Sequence, residues 1–134
     1  MTLPPLSVSA VALVRERRVL MVTARGRDVY YMPGGKIDAG ETAAEAAARE
    51  AHEEVSLTLD PAGLDELFEV RTQAHGEPDG RMVHMAVFRA ETDADPAPSA
   101  EVGALHWVTT ADADRCPPAG RAVLARLSAL GLID

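Results

Sequence analysis

The chain has 134 residues, 47% of them hydrophobic and 25% charged, a balance that allows a buried core and excludes disordered or membrane-embedded classes. Its formal net charge of -8 argues against binding nucleic-acid polymers, whose phosphates select basic surfaces. The single cysteine, Cys116, excludes an internal disulfide and fits a reducing compartment.

In chain order, Ser7–Val14 and Val19–Thr23 read as strands joined across Arg15-Glu16-Arg17-Arg18. Tyr30-Tyr31-Met32-Pro33-Gly34-Gly35-Lys36 is then a loop. Pro33 fixes one backbone angle, while the two glycines open conformations closed to other residues and clear side chains from an approaching ligand. Thr42–Val55 is alanine-rich and free of Gly and Pro, and Thr42 followed by Glu45 is a capping box, so a helix is expected to start there. Ala44, Ala48, Ala51 and Val55 give it a buried stripe. Ala43, Ala46 and Ala47 form a smooth strip on which a loop or ligand can lie, and Glu45, Arg49 and His52 form the solvated side.

Downstream, Leu67–Gln73 is a strand, His75–Gly80 a turn and Met82–Ala90 an alternating strand. Glu91–Ser99 is a polar, Pro-containing loop, Leu105–Val108 a short strand, and Ala119–Leu130 a closing amphipathic helix. Neither a repeat nor a long linker interrupts the chain, so residues 1–134 are expected to be one domain, a sheet with helices on both sides. Without a charged-then-apolar leader or an apolar run of spanning length, a cytoplasmic protein with no membrane partner is expected.

The chemistry concentrates on the first helix. Glu50, Glu53 and Glu54 stand at i, i+3 and i+4, which puts three carboxylates on one helical face. Like charges that close repel, and without a partner some would bind protons. A Mg²⁺ or Mn²⁺ ion removes the repulsion, and both prefer hard oxygen ligands. A solvated acidic face is the bland alternative. The glycine loop in front tips the balance, because it can present a backbone carbonyl to a metal and leave room for a diphosphate, with Lys36 as a compact charge for phosphate oxygens.

These residues carry a resemblance. Pro33–Leu57 resembles the signature of the Nudix hydrolases, which cut nucleoside diphosphates linked to a further group. The family pattern is a Gly, a Glu six positions later, then Arg-Glu-aliphatic-any-Glu-Glu-any-Gly-aliphatic. This chain supplies Gly35, Glu41, Arg49, Glu50, Glu53, Glu54 and Leu57. It departs at Ala51, where a larger aliphatic is usual, and at Ser56, where Gly is usual at a left-handed helix end. The resemblance implies an α/β/α sandwich with a mixed central sheet, and Mg²⁺ or Mn²⁺ as cofactor. It implies that Glu50, Glu53 and Glu54 are metal ligands, with Glu53 or Glu54 handling the attacking water. Glu41 and Arg49 become supports, Arg49 bracing a carboxylate, or pairing on the surface with Glu45. Gly34 or Gly35 would give a carbonyl ligand, and Glu101 a further acidic group reaching the metal, or else an exposed loop residue.

Substrate contacts are less sharply marked. Lys36 and one or two of Arg25, Arg27, Arg71 and Arg81 are candidates for phosphate, Tyr30, Tyr31 and Trp107 for stacking on a base, and His75 and His84 for either. Family branches that cut ADP-ribose or dinucleoside polyphosphates carry a Pro or Tyr shortly beyond the signature, and between Ser56 and Gly76 this chain has only Pro61. Pro117-Pro118-Ala119 resembles the triphosphatase branch, where an Asn follows to read an oxidised guanine; Gly120 stands in that place and the chain has no Asn. The expected partner is therefore a small nucleotide, and the expected reaction converts a nucleoside triphosphate to monophosphate and pyrophosphate. Cleavage of nucleotide sugars or dinucleotides, or silent nucleotide binding, are the rival readings. A monomer or homodimer is expected.

Overall fold

Two charged residues make the first turn. In the computed structural model, which describes residues 3–134, β1 (Leu6–Arg15) and β2 (Arg18–Ala24) form a hairpin with Glu16 and Arg17 at φ 51 and 61. Met1 and Thr2 of the expected domain lie outside the described residues. Positive φ at both central positions is the pattern of a type I′ turn, normally filled by Asn or Gly. Arg17 is tied down: its Nε donates to Asp134 Oδ1 at 2.6 Å and its Nη1 to the Gly131 carbonyl at 3.0 Å.

The hairpin does not stay paired. β1 and β2 align at Val14↔Val19 and Arg15↔Arg18 and then part. The glycine loop enters the gap: Tyr31 bridges Val22, the Pro33 carbonyl accepts from Val11 N at 2.9 Å, and β3 (Gly34–Lys36) pairs antiparallel with β1. No strand was expected at β3, because two glycines in three residues carry almost no strand propensity. Neither Gly34 nor Gly35 has positive φ. Their expected conformational role is corrected: glycine is required for space. A side chain at Gly34 would overlap the Ser9 carbonyl, and one at Gly35 would place its Cβ 2.5 Å from Glu50 Oε1.

The rest of the sheet runs β4 (Asp65–Gln73), β5 (Met82–Ala90), β1, β2, β6 (Val102–Val108). β1 and β5 are parallel and the other pairs antiparallel, so the sheet is mixed. Alternation divides its side chains. Val11, Leu13, Leu20 and Val22 join Ala47, Ala51 and Val55 of α1 (Ala43–Val55). Ala10, Ala12, Val19 and Met21 join Val123, Leu124 and Leu127 of α2 (Pro118–Ala129) on the other face. The result is the expected α/β/α sandwich, in which each fully buried aliphatic side chain such as Leu13 or Leu127 contributes roughly 2 kcal/mol. Short 3₁₀ turns at Pro61–Gly63 and Thr110–Arg115 were not expected, and β6 starts earlier than Leu105. Among the described residues no helix is long and apolar enough to cross a membrane.

The helix that carries the glutamates is set firmly. Thr42 Oγ1 accepts from Glu45 N at 3.1 Å and Glu45 Oε1 from Thr42 N at 2.9 Å, completing the capping box. Buried Ser9 donates from Oγ to the Ala43 carbonyl at 2.6 Å, pinning the start of α1 to β1. The strip of Ala43, Ala46 and Ala47, expected from its smoothness to receive a loop or ligand, is not open to a ligand. Ala46 and Ala47 are fully buried, and Ala47 packs into the core between α1 and the sheet. Small side chains let α1 approach the strands closely. Ser56 ends the helix at φ 60, in the left-handed conformation usually given to Gly.

Candidate active site

The parting of β1 from β2 opens a cleft of about 350 Å³. Its walls are Leu6 and Val8 of β1, Val83 and Met85 of β5, and the Tyr30–Met32 segment. Gly34, Gly35, Glu54 and Glu101 also line it, as does Gly120 at the start of α2. A wider open depression of about 710 Å³ at the hairpin end is lined by Arg15, Arg18, Arg89 and Trp107 and holds none of the expected carboxylates.

Glu54 is central. Its Oε1 accepts from Gly34 N at 2.7 Å. Burial, with added repulsion from Glu50 and Glu53 and against the pull of the Gly34 N–H, pushes its carboxyl up to about 7. Beside it Arg49 gathers the other acids. Its Nε and Nη2 donate to Glu41 at 2.8 and 2.9 Å, its Nη1 to Glu50 Oε1 at 2.9 Å, and its Nη2 to the Lys36 carbonyl at 3.0 Å. This two-pronged bond holds the Glu41 carboxyl down at about 2, helped by the Asp38 N–H. The expected surface pair of Arg49 with Glu45 does not form, because Glu45 is occupied in the helix cap. Glu53 is more open and lies 3.5 Å from Arg49 Nη1.

The three carboxylates share the helix face but do not converge. Among the described residues no group of three or more His, Cys, Asp or Glu side chains is drawn together as a ready metal cage. Mutual repulsion explains this: Arg49 draws Glu50 to itself, and the Gly34 N–H holds Glu54 without offsetting the cost of its charge. The donor chemistry still fits a hard divalent cation. All candidate ligands are oxygens, and Glu54 sits where ionisation is costly without a counter-charge.

Residues 3–127 match the family described as NUDIX domain. The chain belongs to the Nudix hydrolase family. It is 30% identical over 128 residues to an 8-oxo-dGTP diphosphatase of Escherichia coli (strain K12), covering 90% of this chain and 95% of that protein. It is 34% identical over 116 residues to an octanoyltransferase of Myxococcus xanthus. That match takes in 78% of this chain and only 31% of the longer protein, so the chain spans about a third of that relative's length. Among solved structures, the MutT protein of Methanosarcina mazei Go1 aligns with a TM-score of 0.77 over 98% of both chains, at 22% identity, a likeness of fold.

In this Nudix hydrolase the cleft unites some expected contacts and leaves others apart. Tyr31 lines it, 39% exposed, with its ring edge-on to His75 at 6.1 Å. Tyr30 is already occupied, stacked on His106 at 4.5 Å with the Arg115 guanidinium over its ring. Lys36 is exposed at the end of β3. Arg25 is exposed, and its N–H donates to the Glu101 carbonyl at 3.1 Å. Arg71 pairs with Glu69 at 2.8 Å, and neither it nor Arg25 nor Lys36 lines the cleft. Cys116 is buried with its Sγ 3.6 Å from Met21 Sδ, and burial pushes its thiol up to about 11, so it offers no nucleophile. Sequence reasoning missed the apolar walls. Leu6 with Val8 and Val83 with Met85 carried the signal, as alternate residues of two strands.

Proposed function

We propose that this Nudix hydrolase is a nucleoside triphosphate pyrophosphohydrolase dependent on Mg²⁺ or Mn²⁺, releasing monophosphate and pyrophosphate. The observation that carries the reading is one cleft lined by Glu54, Glu101 and two glycines together with aromatic and apolar side chains. Such a cleft matches a molecule with a charged diphosphate and a flat, weakly polar ring. Similarity along nearly the whole length of a diphosphatase supports the same class. A volume of about 350 Å³ favours one base over the two of a dinucleotide.

A divalent cation, when bound, would offset the diphosphate charge and lower the pKa of a water. Glu50, Glu53 and Glu54 would hold it, with Glu101 and a Gly34 or Gly35 carbonyl as further oxygen donors. Gly34 N–H orients Glu54, and Arg49 keeps Glu41 and Glu50 from drifting. Glu53, the most open of the three, or Glu54 would take the proton from water as it attacks phosphorus. Tyr31 and the apolar walls would hold the base by stacking and contact, and Gly120 lines the cleft where an Asn would read the base edge.

The test is a nucleotide panel with Mg²⁺, reading pyrophosphate, on the unaltered chain and on Glu53→Gln. Several triphosphates should be cleaved with specificity constants within roughly two orders of magnitude, the range apolar pockets achieve. Glu53→Gln should retain the fold and lose turnover. Cleavage of nucleotide sugars alone overturns the reading, and cleavage of oxidised dGTP thousands-fold above dGTP overturns the loose choice of base.

A further inference from the structure

The carboxyl-terminal turn of a helix leaves its last four carbonyls without helical partners. On α1 that turn carries Glu53 and Glu54, and it ends on Ser56 in a conformation costly for any residue but glycine. Fraying there would move the carboxylates. The polar loop after β5 supplies what the cap lacks. Ala97 N donates to the Val55 carbonyl at 2.9 Å and Ser99 N to the Glu54 carbonyl at 3.0 Å. Both donors sit in Pro96-Ala97-Pro98-Ser99. The prolines have no N–H to leave unpaired and hold the backbone stiff, so the segment offers two donors, both spent on α1.

The segment is fixed at both ends. Upstream, Arg15 Nη2 donates to the Thr92 and Ala94 carbonyls at 2.8 and 2.6 Å. Downstream, the Ser99 carbonyl accepts from Val102 N at 3.1 Å across Ala100 at φ 55, a tight turn that leaves Glu101 in the same cleft as Glu54. One stretch of chain thus holds Glu54 by its backbone and delivers Glu101 two residues beyond its last donor.

We propose that Pro96-Ala97-Pro98-Ser99 is a positioning strap for the metal site: the N–H groups of Ala97 and Ser99 hold the end of α1 so that Glu54 and Glu101 are kept in one cleft. The role rests on the reading of these carboxylates as metal ligands. It involves no contact of the strap with substrate, so its effect falls on cation affinity and on kcat rather than on the KM for nucleotide.

The decisive measurement is the affinity of the unaltered chain and its variants for Mn²⁺ alone. Ser99→Pro removes one donor and keeps the strap stiff. The expected loss is about three- to tenfold in Mn²⁺ affinity, the worth of one hydrogen bond. Arg17→Ala, which cuts the clasp at the far turn, should lower the melting temperature and leave Mn²⁺ affinity unchanged. Unchanged affinity in folded Ser99→Pro overturns the strap's role, as does an equal loss in Arg17→Ala. If Ser99→Pro does not fold, Pro96→Gly/Pro98→Gly, which loosens the strap and keeps both donors, decides by the same criterion. Failure of the unaltered chain to bind Mn²⁺ overturns the metal reading itself, and the strap's role with it.

Discussion

Glu54→Gln should stabilise the metal-free protein at alkaline pH. The substitution keeps the shape of the side chain and its acceptor for the Gly34 N–H, and removes only the charge. Burial, with the charges of Glu50 and Glu53, lifts the Glu54 carboxyl from 4.5 to about 7. The folded pKa therefore exceeds the unfolded one, and the protonated carboxyl contributes stability that is fully present below 4.5 and is lost as the pH rises through about 7. At 1.36 kcal/mol per unit the whole gap is about 3 kcal/mol. Partial solvent access to the carboxyl reduces this to about 1–2 kcal/mol. For a chain of this size that difference moves the melting temperature by about 3–8 °C.

Thermal unfolding in chelator should give similar melting temperatures for the two proteins near pH 5 and a more stable variant near pH 8. Excess Mg²⁺ should reverse the order at the higher pH, because a bound cation stabilises the charged carboxylate of the unaltered chain. A constant gap at both pH values, or a variant less stable at the higher one, would refute the assignment of buried, uncompensated charge to Glu54.

Two further outcomes follow from the site. Gly35→Ala drives a methyl against Glu50 Oε1. It should cost about 1–3 kcal/mol in chemical denaturation, as overpacking does, and should displace Glu50 from Arg49, so that the Mg²⁺ concentration for half-maximal activity rises. Arg49→Lys keeps the charge and loses the fork that bridges Glu41, Glu50 and the Lys36 carbonyl. Steady-state kinetics should show turnover falling about ten- to a hundredfold, the range for groups that orient metal ligands; turnover near that of the unaltered chain would leave Arg49 without a positioning role.

What could be read from the sequence was local. The capping box at Thr42 and the alternation of Met82–Ala90 depend on neighbours within a few residues, and the structure repeats them closely. The left-handed Ser56 was legible for the same reason. β3 was not, because its stability lies in hydrogen bonds to β1 and its residues carry no strand signal of their own. Of the two roles open to the alanine strip, a bed for neighbouring chain or for a ligand, burial leaves the first, since small residues serve close packing as well as they would serve a ligand. The nearness of Tyr31, Glu101 and Gly120 around Glu54 is set by where β1 and β2 part, which no short window of sequence contains. Arg71 was a sound choice by charge alone, yet its strand position gives it Glu69 as partner.

The parallel pairing of β1 with β5 has a consequence for how the molecule assembles. Leu6 aligns with Val83 and Leu13 with Ala90, so this ladder joins chain segments that are far apart, across α1 and β4. The hairpin, α1 and the β4–β5 pair need only nearby contacts and bear little loop-closure entropy. Closing β1 against β5 bears most of it, and the two walls of the cleft, Leu6–Val8 and Val83–Met85, come into register only at that step. A chain that has formed its glutamate helix but not this ladder has carboxylates and no cleft. Slow refolding phases should therefore report on the gain of cleft binding rather than on the gain of helix, and destabilising changes along the ladder should reach the site before they reach α1.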